Sequence, residues 1–279
     1  MHHAVLVTGA SSGIGEECAV YLGQKGFRVF AAARRIDKMQ DLKAVGGGRI
    51  TPLALDVTDA ASIANLMQTI SDEGVTLYGL VNNAGAALMG PLERVPLDDW
   101  RALFEANIFG LVAMTQAVLP QMRAAGQGRI VNIGSLTGRI AQPFQGAYAA
   151  SKHAVEGLSD SLRRELVPHG IKVSVVRPGA INTPFGKHEA ETLAEFADDD
   201  VYGDQVQVFK AWFARQHPNA SSPLVVAEAV HHALTAELPH SRYTAPAKMG
   251  YAIALRNFLP SALTDRILAQ VTGMSKFRK

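Results

Sequence analysis

Short apolar runs rich in β-branched residues alternate with longer amphipathic stretches along most of the chain. The runs are Ala4–Thr8, Arg28–Ala33, Ile50–Leu55, Leu77–Val81, Arg129–Ile133 and Lys172–Val176. Each is nearly continuous in apolar character, as expected of strands whose two faces are both covered by helices. The stretches between them predict helices that begin near Gly13, Lys38, Ala60, Asp98 and Tyr148. This alternation predicts a doubly wound, mostly parallel α/β sheet of the Rossmann type, in one domain over residues 1–279.

The regular alternation stops within residues 185–223, and the pattern there predicts a helical substrate lid. One amphipathic helix of this segment carries Val206, Phe209 and Phe213. Its aromatic side chains either line the lid above a bulky apolar substrate or form the lid's own packing core. The acidic run Asp198–Asp200 predicts a solvated helix start rather than a metal site.

The chain ends in an apolar segment, residues 246–279, after a short strand predicted near Tyr243. We expect this C-terminal extension to lie near the substrate cleft. Because Arg256 and Arg266 are interspersed among its apolar residues, weak peripheral association with a membrane surface is the alternative. No window approaches the ~20 apolar residues that a spanning helix needs, so we expect no membrane span.

Composition narrows the classes of function. Apolar residues make up 48% of the 279 residues, which is enough for a sizeable core. The net charge is +2, from 27 basic and 25 acidic residues, and gives no reason to expect nucleic-acid binding. Cys18 is the single cysteine, so neither an internal disulfide nor a thiolate metal cluster can form. We expect a buried, inert thiol, no metal, and a cytoplasmic protein.

The first strand runs into a glycine-rich turn and then a helix, an arrangement typical of a phosphate-binding loop. The candidate cofactor-binding residues here are Gly9, Ser11, Ser12, Gly13, Ile14 and Gly15. We expect Gly9 to permit a tight turn, Gly13 to let the backbone approach a pyrophosphate, and Gly15 to let the helix pack closely. Free N–H groups at the helix start favour an anion.

The end of the second strand indicates which dinucleotide the loop would hold. Folds that prefer NAD usually place an acidic residue there to bond the ribose 2′-hydroxyl. Here Ala33 is followed by Arg34 and Arg35, and guanidinium groups suit a 2′-phosphate. The sequence therefore favours NADP(H) over NAD(H), with Arg34 preferred to Arg35 as the contact.

Two further strand ends carry residue types that suit a bound nucleotide. Asp56 and Val57 follow the third strand, where a carboxylate can accept from an adenine amino group. Asn83, Ala84 and Gly85 follow the fourth, where small residues let the chain pass close to the cofactor. Ligands of doubly wound folds bind at this edge of the sheet.

A candidate catalytic group follows the fifth strand. Ser135 ends that strand, Tyr148 comes thirteen residues later, and Lys152 follows at i+4 on the same helix face. An isolated Tyr-x3-Lys pattern more often consists of a packed tyrosine and an unrelated surface lysine. The prediction of a catalytic site therefore depends on the serine at the end of the strand. We expect Tyr148 to be the acid/base, with the Lys152 cation lowering the pKa of its phenol. Ser135 would hold the substrate oxygen, and Asn107 would hold a water that links Lys152 to solvent.

Together these segments resemble the short-chain dehydrogenase/reductase family, in its single-domain branch. The matching motifs are Thr8–Gly15, Asn82–Gly85, Asn107, Ser135, Tyr148, Lys152, and Pro178-Gly179 with Thr183. The resemblance implies that Lys152 also bonds the nicotinamide ribose and that Ile181 and Thr183 contact the carboxamide. It also implies a homodimer or homotetramer. Scaffold segments such as Asn107–Gly110 and Glu156–Leu162 resemble hydroxysteroid and retinol dehydrogenases more narrowly.

The residues and the resemblance together predict an oxidoreductase that transfers a hydride between NADP(H) and a carbonyl or alcohol. The small-molecule substrate is expected to be lipophilic: a steroid, a retinoid, or another aldehyde or ketone. Two alternatives stay open. One is a regulatory or scaffold protein that binds NADPH without turnover, and the other is an epimerase or dehydratase that uses the same tyrosine and lysine.

Overall fold

The apolar runs pair into one parallel sheet of seven strands in the computed structural model, which describes residues 3–277. The strands are β1 Ala4–Thr8, β2 Arg28–Ala33, β3 Ile50–Ala54, β4 Leu77–Asn82, β5 Gly128–Ile133, β6 Ile171–Pro178 and β7 Arg242–Ala245. Their order is β3-β2-β1-β4-β5-β6-β7, so the direction of winding reverses between β1 and β4. The predicted doubly wound Rossmann-type sheet is confirmed. A ligand cleft is expected at that reversal.

Burial explains why these runs form strands. β1 and β2 have the predicted bounds, and β3 to β6 differ from the predicted bounds by one or two residues at an end. β1 is buried at every position, and β2 at all but its first residue. β3 lies at the edge of the sheet and is mostly half-buried. Pro52 is tolerated there because a proline, which lacks an N–H group, can be accommodated in an edge strand.

Helices cover both faces of the sheet and enclose two layers of core. They are α1 Gly13–Gln24, α2 Leu42–Val45, α3 Ala60–Asp72, α4 Leu97–Phe104, α5 Gly110–Ala124, α6 Gly146–Glu165, α7 Pro184–Ala194, α8 Gly203–Gln216, α9 Leu224–Thr235, α10 Gly250–Phe258 and α11 Ser261–Val271. One core layer contains residues of α1 and α9, including the fully buried Cys18 and Val230. The other contains residues of α3 and α5, including Leu66 and Met114.

Two helical predictions need correction. The helix predicted from Lys38 is a 3-10 turn, Ile36–Met39, followed by the one-turn helix α2. Only Met39 and Leu42 in this stretch reach the core, and two residues cannot support a longer helix. The long helix predicted from Asp98 begins at Leu97 and is interrupted by a π-helical turn, Glu105–Phe109, which separates α4 from α5.

The helical stretch Leu97–Ala124 is long and apolar enough to cross a membrane by length and composition. The expectation that no segment of the chain meets this test was therefore wrong. The stretch nevertheless packs inside the fold: 44% of its most apolar part is buried, and Met114 and Val118 contact the sheet core. A helix that covers a buried parallel sheet also has this composition, and it passes the same test of length and composition.

The predicted lid, residues 185–223, contains α7 and α8. Its aromatic residues serve both of the uses left open by the sequence. Phe209 is fully buried in a separate cluster with Met89, Leu193 and Val206, against which Phe196 and Tyr202 pack. Trp212 and Phe213 also pack against this cluster, and together with Phe185 they line the cleft. The acidic run lies just before α8, where the Asp199 carboxylate accepts from the amides of Val201 and Tyr202.

The C-terminal extension forms α10 and α11, and its last residues, Arg278 and Lys279, lie outside the described range, as do Met1 and His2. Met249, just before α10, reaches the cleft. The outer side of the extension is apolar and exposed, with Tyr251 at 81% and Phe258 at 86% exposure.

Candidate active site

A cleft of about 380 Å³ opens at the carboxyl ends of the central strands, between the sheet and the lid. It brings together most of the residues expected from the sequence. Those lining it are Gly9, Ser12, Gly13, Ile14, Asn83, Ala84, Gly85, Ser135, Tyr148, Lys152, Pro178, Gly179, Ile181 and Thr183. The others lie around it, outside the lining: Ser11, Gly15, Arg34, Arg35, Asp56, Val57 and Asn107.

The three glycines of the first turn are required by close backbone packing. Gly9 has φ +68°, and an added Cβ would lie 2.8 Å from the Ala84 Cα. Gly13 has φ +61°, and its Cβ would lie 3.0 Å from the Thr183 side chain, so this glycine also makes room for the start of the lid. A Cβ at Gly15 would overlap the Gly9 carbonyl oxygen. These positions favour glycine because they need the left-handed region or a contact without a side chain.

Thr8, whose hydroxyl the sequence analysis did not single out, connects the first and fourth strand ends. Its Oγ1 donates to the Val81 carbonyl at 3.3 Å and accepts from the amides of Asn83 and Ala84, each at 3.0 Å. The Asn83 side-chain amide in turn donates to the Thr8 carbonyl at 2.9 Å. The loops that would hold a nucleotide are therefore fixed to each other. A buried threonine at the end of an otherwise apolar strand is the signal in the sequence.

The start of α1 can receive an anion. Ser12 is its N-cap residue and makes no side-chain capping hydrogen bond, so the first amides of the helix are open toward the cleft. At the end of β2, the Arg35 guanidinium donates to the Ser11 hydroxyl at 3.2 Å and lies 3.5 Å from that of Ser12. The structure therefore places Arg35, rather than the preferred Arg34, against the glycine loop.

Asp56 is partly engaged by its own turn. Its Oδ1 accepts from the Thr58 amide at 3.0 Å and the Thr58 hydroxyl at 2.8 Å. These bonds, together with the nearby Arg34 charge, lower the pKa of Asp56 despite some desolvation. The carboxylate is therefore ionised at neutral pH and able to accept a further hydrogen bond.

Ser135 and Tyr148 face each other across the cleft floor. The Ser135 Oγ accepts from the Thr137 amide at 3.1 Å, which leaves its hydroxyl hydrogen available to Tyr148 or to a bound substrate oxygen. Burial, assisted by the Glu189 charge, raises the pKa of Tyr148, and a hydrogen bond with Ser135 acts in the opposite direction. The phenol is therefore held protonated, whereas the sequence analysis expects Lys152 to lower the pKa of Tyr148.

Lys152 is buried beside this tyrosine. Desolvation lowers the pKa of Lys152 to about 8, so this lysine loses its proton at a lower pH than an exposed lysine does. Its Nζ donates to the Ile133 carbonyl at 2.9 Å and lies 5.7 Å from the centre of the Tyr148 ring. The ammonium is thus held at the end of β5, one helical turn from the phenol.

Asn107 lies in the π-helical turn and fixes the neighbouring loop. Its Nδ2 donates to the Ala86 carbonyl at 3.1 Å and to the Ser151 hydroxyl at 3.0 Å, and its Oδ1 accepts from the Ala86 amide at 2.7 Å. Both amide hydrogens are therefore used by the protein. The water link predicted for Asn107 stays a prediction and would need the remaining oxygen lone pair.

The lid contributes side chains that the catalytic motif does not include. The Phe185 ring lies 5.8 Å from that of Tyr148, between ring centres. Glu189 follows one helical turn later and also lines the cleft, and burial raises its pKa to about 7. Glu189 could not be predicted from the sequence, because a glutamate on a polar helix gives no local signal.

The residues present fit a nicotinamide dinucleotide. The glycine turn leaves no room for side chains, the first amides of α1 are uncapped, and the end of β2 has Ala33 in place of a carboxylate. Basic and hydroxyl groups adjoin that strand end, as a phosphate requires. The cleft floor then presents a protonated phenol next to a serine hydroxyl. The arrangement can hold a nucleotide and transfer a proton to an oxygen bound beside it.

Comparisons with known proteins agree with this geometry. A sequence profile of the short chain dehydrogenase family matches residues 3–194. The uncharacterized oxidoreductase YbbO of Escherichia coli K12 is 36% identical over 271 residues, covering 96% of this chain and 94% of YbbO. Human retinol dehydrogenase 5 is 34% identical, covering 96% of this chain and 88% of that protein. The closed form of serine dehydrogenase complexed with NADP+ is 32% identical with a TM-score of 0.73, covering 86% of this chain and 93% of the other.

Proposed function

Because this chain belongs to the short-chain dehydrogenase/reductase family and is therefore an oxidoreductase, we propose that it interconverts a carbonyl and an alcohol with NADP(H). Tyr148 is the acid/base of this reaction. One observation carries the proposal: Ser135, Tyr148 and Lys152 line the same cleft as the glycine loop of β1. A hydride donor and a proton donor can therefore act on the carbon and the oxygen of the same carbonyl group.

The chain's own residues supply the proton and the orientation, and bound NADPH supplies the hydride. The hydroxyl hydrogen of Ser135 donates to the carbonyl oxygen and fixes its position. Tyr148 then transfers its phenolic proton to that oxygen as the alcohol forms. Its raised pKa keeps this proton in place at neutral pH, so the phenol is protonated when the carbonyl binds. Lys152, anchored on the Ile133 carbonyl, places a positive charge near the tyrosinate that remains.

Replacing Tyr148 with Phe tests this role. The variant should retain NADPH binding, because the glycine loop is untouched, and lose turnover by two to four orders of magnitude, as is typical of losing a general acid (roughly 10²–10⁴-fold). The assay follows NADPH absorbance over a panel of ketones, aldehydes, steroids and retinoids. Tyr251→Phe is the matched control, since Tyr251 is 81% exposed and outside the cleft. Turnover retained by Tyr148→Phe contradicts the proposal.

NADP(H) is proposed over NAD(H) because the end of β2 has no carboxylate and Arg35 reaches the glycine loop. A charge-assisted hydrogen bond contributes about 1.5–3 kcal/mol. Arg35→Ala should therefore raise KM for NADPH by roughly 10- to 100-fold, and change KM for NADH little. Arg34→Ala is the comparison variant and should have the smaller effect. A kcat/KM with NADH equal to or above that with NADPH would refute the proposal.

The substrate proposed is a lipophilic carbonyl or alcohol. Phe185, Trp212, Phe213 and Met249 give one wall of the cleft an apolar character, and a relative of this chain is named a retinol dehydrogenase. Small carbonyl compounds should therefore be turned over with a higher KM than compounds that carry an apolar group able to cover these side chains.

We further propose a cytoplasmic homodimer or homotetramer. The single cysteine suits a reducing compartment. The family resemblance implies an oligomer, and apolar side chains are exposed on α4, on the π-helical turn and on α6, with Leu97 at 68%, Phe109 at 56% and Leu158 at 37% exposure. Sedimentation of the purified protein tests the assembly, and a monomer at micromolar concentration would contradict it.

A further inference from the structure

The lid places a carboxylate in the cleft next to the catalytic tyrosine. Glu189 follows Phe185 by four residues on α7, so the two side chains lie on one face of that helix. Both line the cleft, and the Phe185 ring contacts Tyr148. The Glu189 carboxylate is also close enough to contribute to the raised pKa of Tyr148. Glu189 therefore faces the position of the substrate.

This carboxylate has no partner in the described part of the chain. The Glu189 side chain accepts no hydrogen bond and forms no ion pair there, although its backbone carbonyl accepts from the Thr192 hydroxyl. The nearest basic residues of α7 are directed elsewhere: Lys187 and His188 lie 3.9 and 3.7 Å from the carboxylate of Glu191. A half-buried carboxylate without a partner is costly to keep ionised, and its pKa is correspondingly raised to about 7. A cation from outside the protein would relieve that cost.

The rest of the lining shows which cation fits. The charged side chains that line the cleft are Lys152 and Glu189, and the Lys152 ammonium is already bound to the Ile133 carbonyl. The lid wall around Glu189 is aromatic, with Phe185, Trp212 and Phe213. Aromatic faces attract an ammonium group, and a carboxylate pairs with it, whereas a substrate carboxylate would be repelled by Glu189.

We propose that Glu189 is a specificity-determining residue that selects substrates bearing a basic amine, holding the ammonium group against its carboxylate and the aromatic wall of the lid. This inference rests on the proposed oxidoreductase function, and it narrows the lipophilic substrate to an apolar amino ketone or amino alcohol. Binding such a substrate also neutralises the Glu189 charge, which is the smaller of the two causes, after burial, that raise the pKa of Tyr148.

The kinetic test uses secondary alcohols that share a methyl carbinol end and differ at the other end, which carries an ammonium, a hydroxyl, a methyl or a carboxylate group. Several chain lengths bracket the span between Tyr148 and Glu189. Wild-type protein should oxidise the ammonium member with the highest kcat/KM and the carboxylate member with the lowest. The nearly isosteric variant Glu189→Gln should lower kcat/KM for the ammonium member by roughly tenfold or more. Because the Glu189 charge also acts on Tyr148, each value is compared as a ratio to the methyl member, and this ratio should fall for the ammonium member and rise for the carboxylate member.

The matched control is Glu191→Gln, which removes an exposed carboxylate from the same helix, two residues away. It should change none of these ratios. Glu189→Asp keeps the charge on a shorter side chain and should retain part of the amine preference. The inference is overturned if wild-type protein does not distinguish the ammonium from the methyl member. It is also overturned if Glu189→Gln lowers kcat/KM equally for both.

A binding measurement separates failure of this inference from failure of the proposed function. Calorimetry on the NADP+-loaded protein measures the affinity for n-hexylamine, n-hexanol and hexanoate, none of which needs to react. Tighter binding of n-hexylamine in wild-type protein, lost in Glu189→Gln and kept in Glu191→Gln, supports the amine site even if no alcohol is turned over. Equal binding of n-hexylamine and n-hexanol overturns it, even if Tyr148→Phe abolishes turnover as proposed.

Discussion

The ion pair between Arg177 and Glu156 is expected to be the most sensitive point of the fold outside the cleft. Arg177 lies on β6 and Glu156 on α6, the helix that also carries Tyr148 and Lys152. The guanidinium donates twice to the carboxylate, at 2.6 and 2.7 Å, and the two side chains are only 8% and 6% exposed. Replacing Arg177 with Met keeps the volume similar and leaves the buried carboxylate without its bidentate partner.

The expected loss follows from that burial. Removing one member of a buried pair leaves an uncompensated charge and typically costs about 3–5 kcal/mol. Arg242 still donates to the second oxygen of Glu156 at 3.1 Å, which places the expected cost near the lower limit, about 3 kcal/mol. For a domain of this size that corresponds to a fall in Tm of roughly 6 °C. Arg242→Met is the control: its side chain is 30% exposed, and its loss should cost about 1 kcal/mol.

Urea denaturation followed by circular dichroism measures both variants, and the double variant Arg177→Met with Glu156→Gln completes the test. Replacing the remaining carboxylate with a neutral amide should recover at least half of the stability lost by Arg177→Met. A loss below about 1 kcal/mol for Arg177→Met, or no recovery in the double variant, would refute the assignment of this pair as a buried, mutually dependent charge pair.

The pH dependence supplies a second readout of the same pair. Desolvation acts to raise the pKa of Glu156, but hydrogen bonds and charge from Arg177 and Arg242 outweigh it and lower the pKa overall. A depressed pKa in the folded state means that the pair stabilises the fold above the unfolded value, about 4.3, and that this stability is lost as pH falls through the folded value. The difference between wild type and Arg177→Met should therefore shrink as the pH is lowered below about 4.

Further predictions concern the glycine loop, a glycine of α6 and the buried thiol. Gly15→Ala places a Cβ against the Gly9 carbonyl oxygen and should destabilise the protein by about 1–3 kcal/mol and weaken NADPH binding. Gly157→Ala, which meets nothing within 4 Å on α6, should instead stabilise it by about 0.5–1 kcal/mol. Cys18 is fully buried with its pKa raised by desolvation, so an aromatic disulfide reagent should label it only at the rate of unfolding. Fast labelling of native protein would contradict this.

The sheet could be predicted because its signals are local. Strands buried on both faces need continuous apolar, β-branched runs, and the glycine turn after β1 marks where that strand ends. β1 and β2 accordingly have the predicted bounds. The stretch after β2 could not be predicted in the same way. There Met39 and Leu42 anchor a 3-10 turn and a single helical turn, and that outcome depends on the core beneath them.

The candidate site also has features that could be predicted from the sequence and features that could not. Ser135, Tyr148 and Lys152 have a spacing that can be recognised because a strand end and one helix face suffice to bring them together. The pKa values of these residues could not be predicted from their spacing. The expectation that Lys152 lowers the pKa of Tyr148 considers the lysine charge and leaves out the burial of the phenol itself. Desolvation and the Glu189 charge then act on the phenol in the opposite direction.

The residue proposed to determine substrate preference belongs to no sequence motif. Glu189 lies in a helix next to Glu191, and in the printed sequence the two carboxylates are equivalent surface residues. The fold distinguishes them by directing Glu191 toward Lys187 and His188 and Glu189 into the cleft. The proposed reaction type rests on the spacing of residues within β5 and α6. The proposed substrate preference rests on how one face of α7 is turned toward the cleft, and α7 is packed through Leu193 against the lid cluster around Phe209.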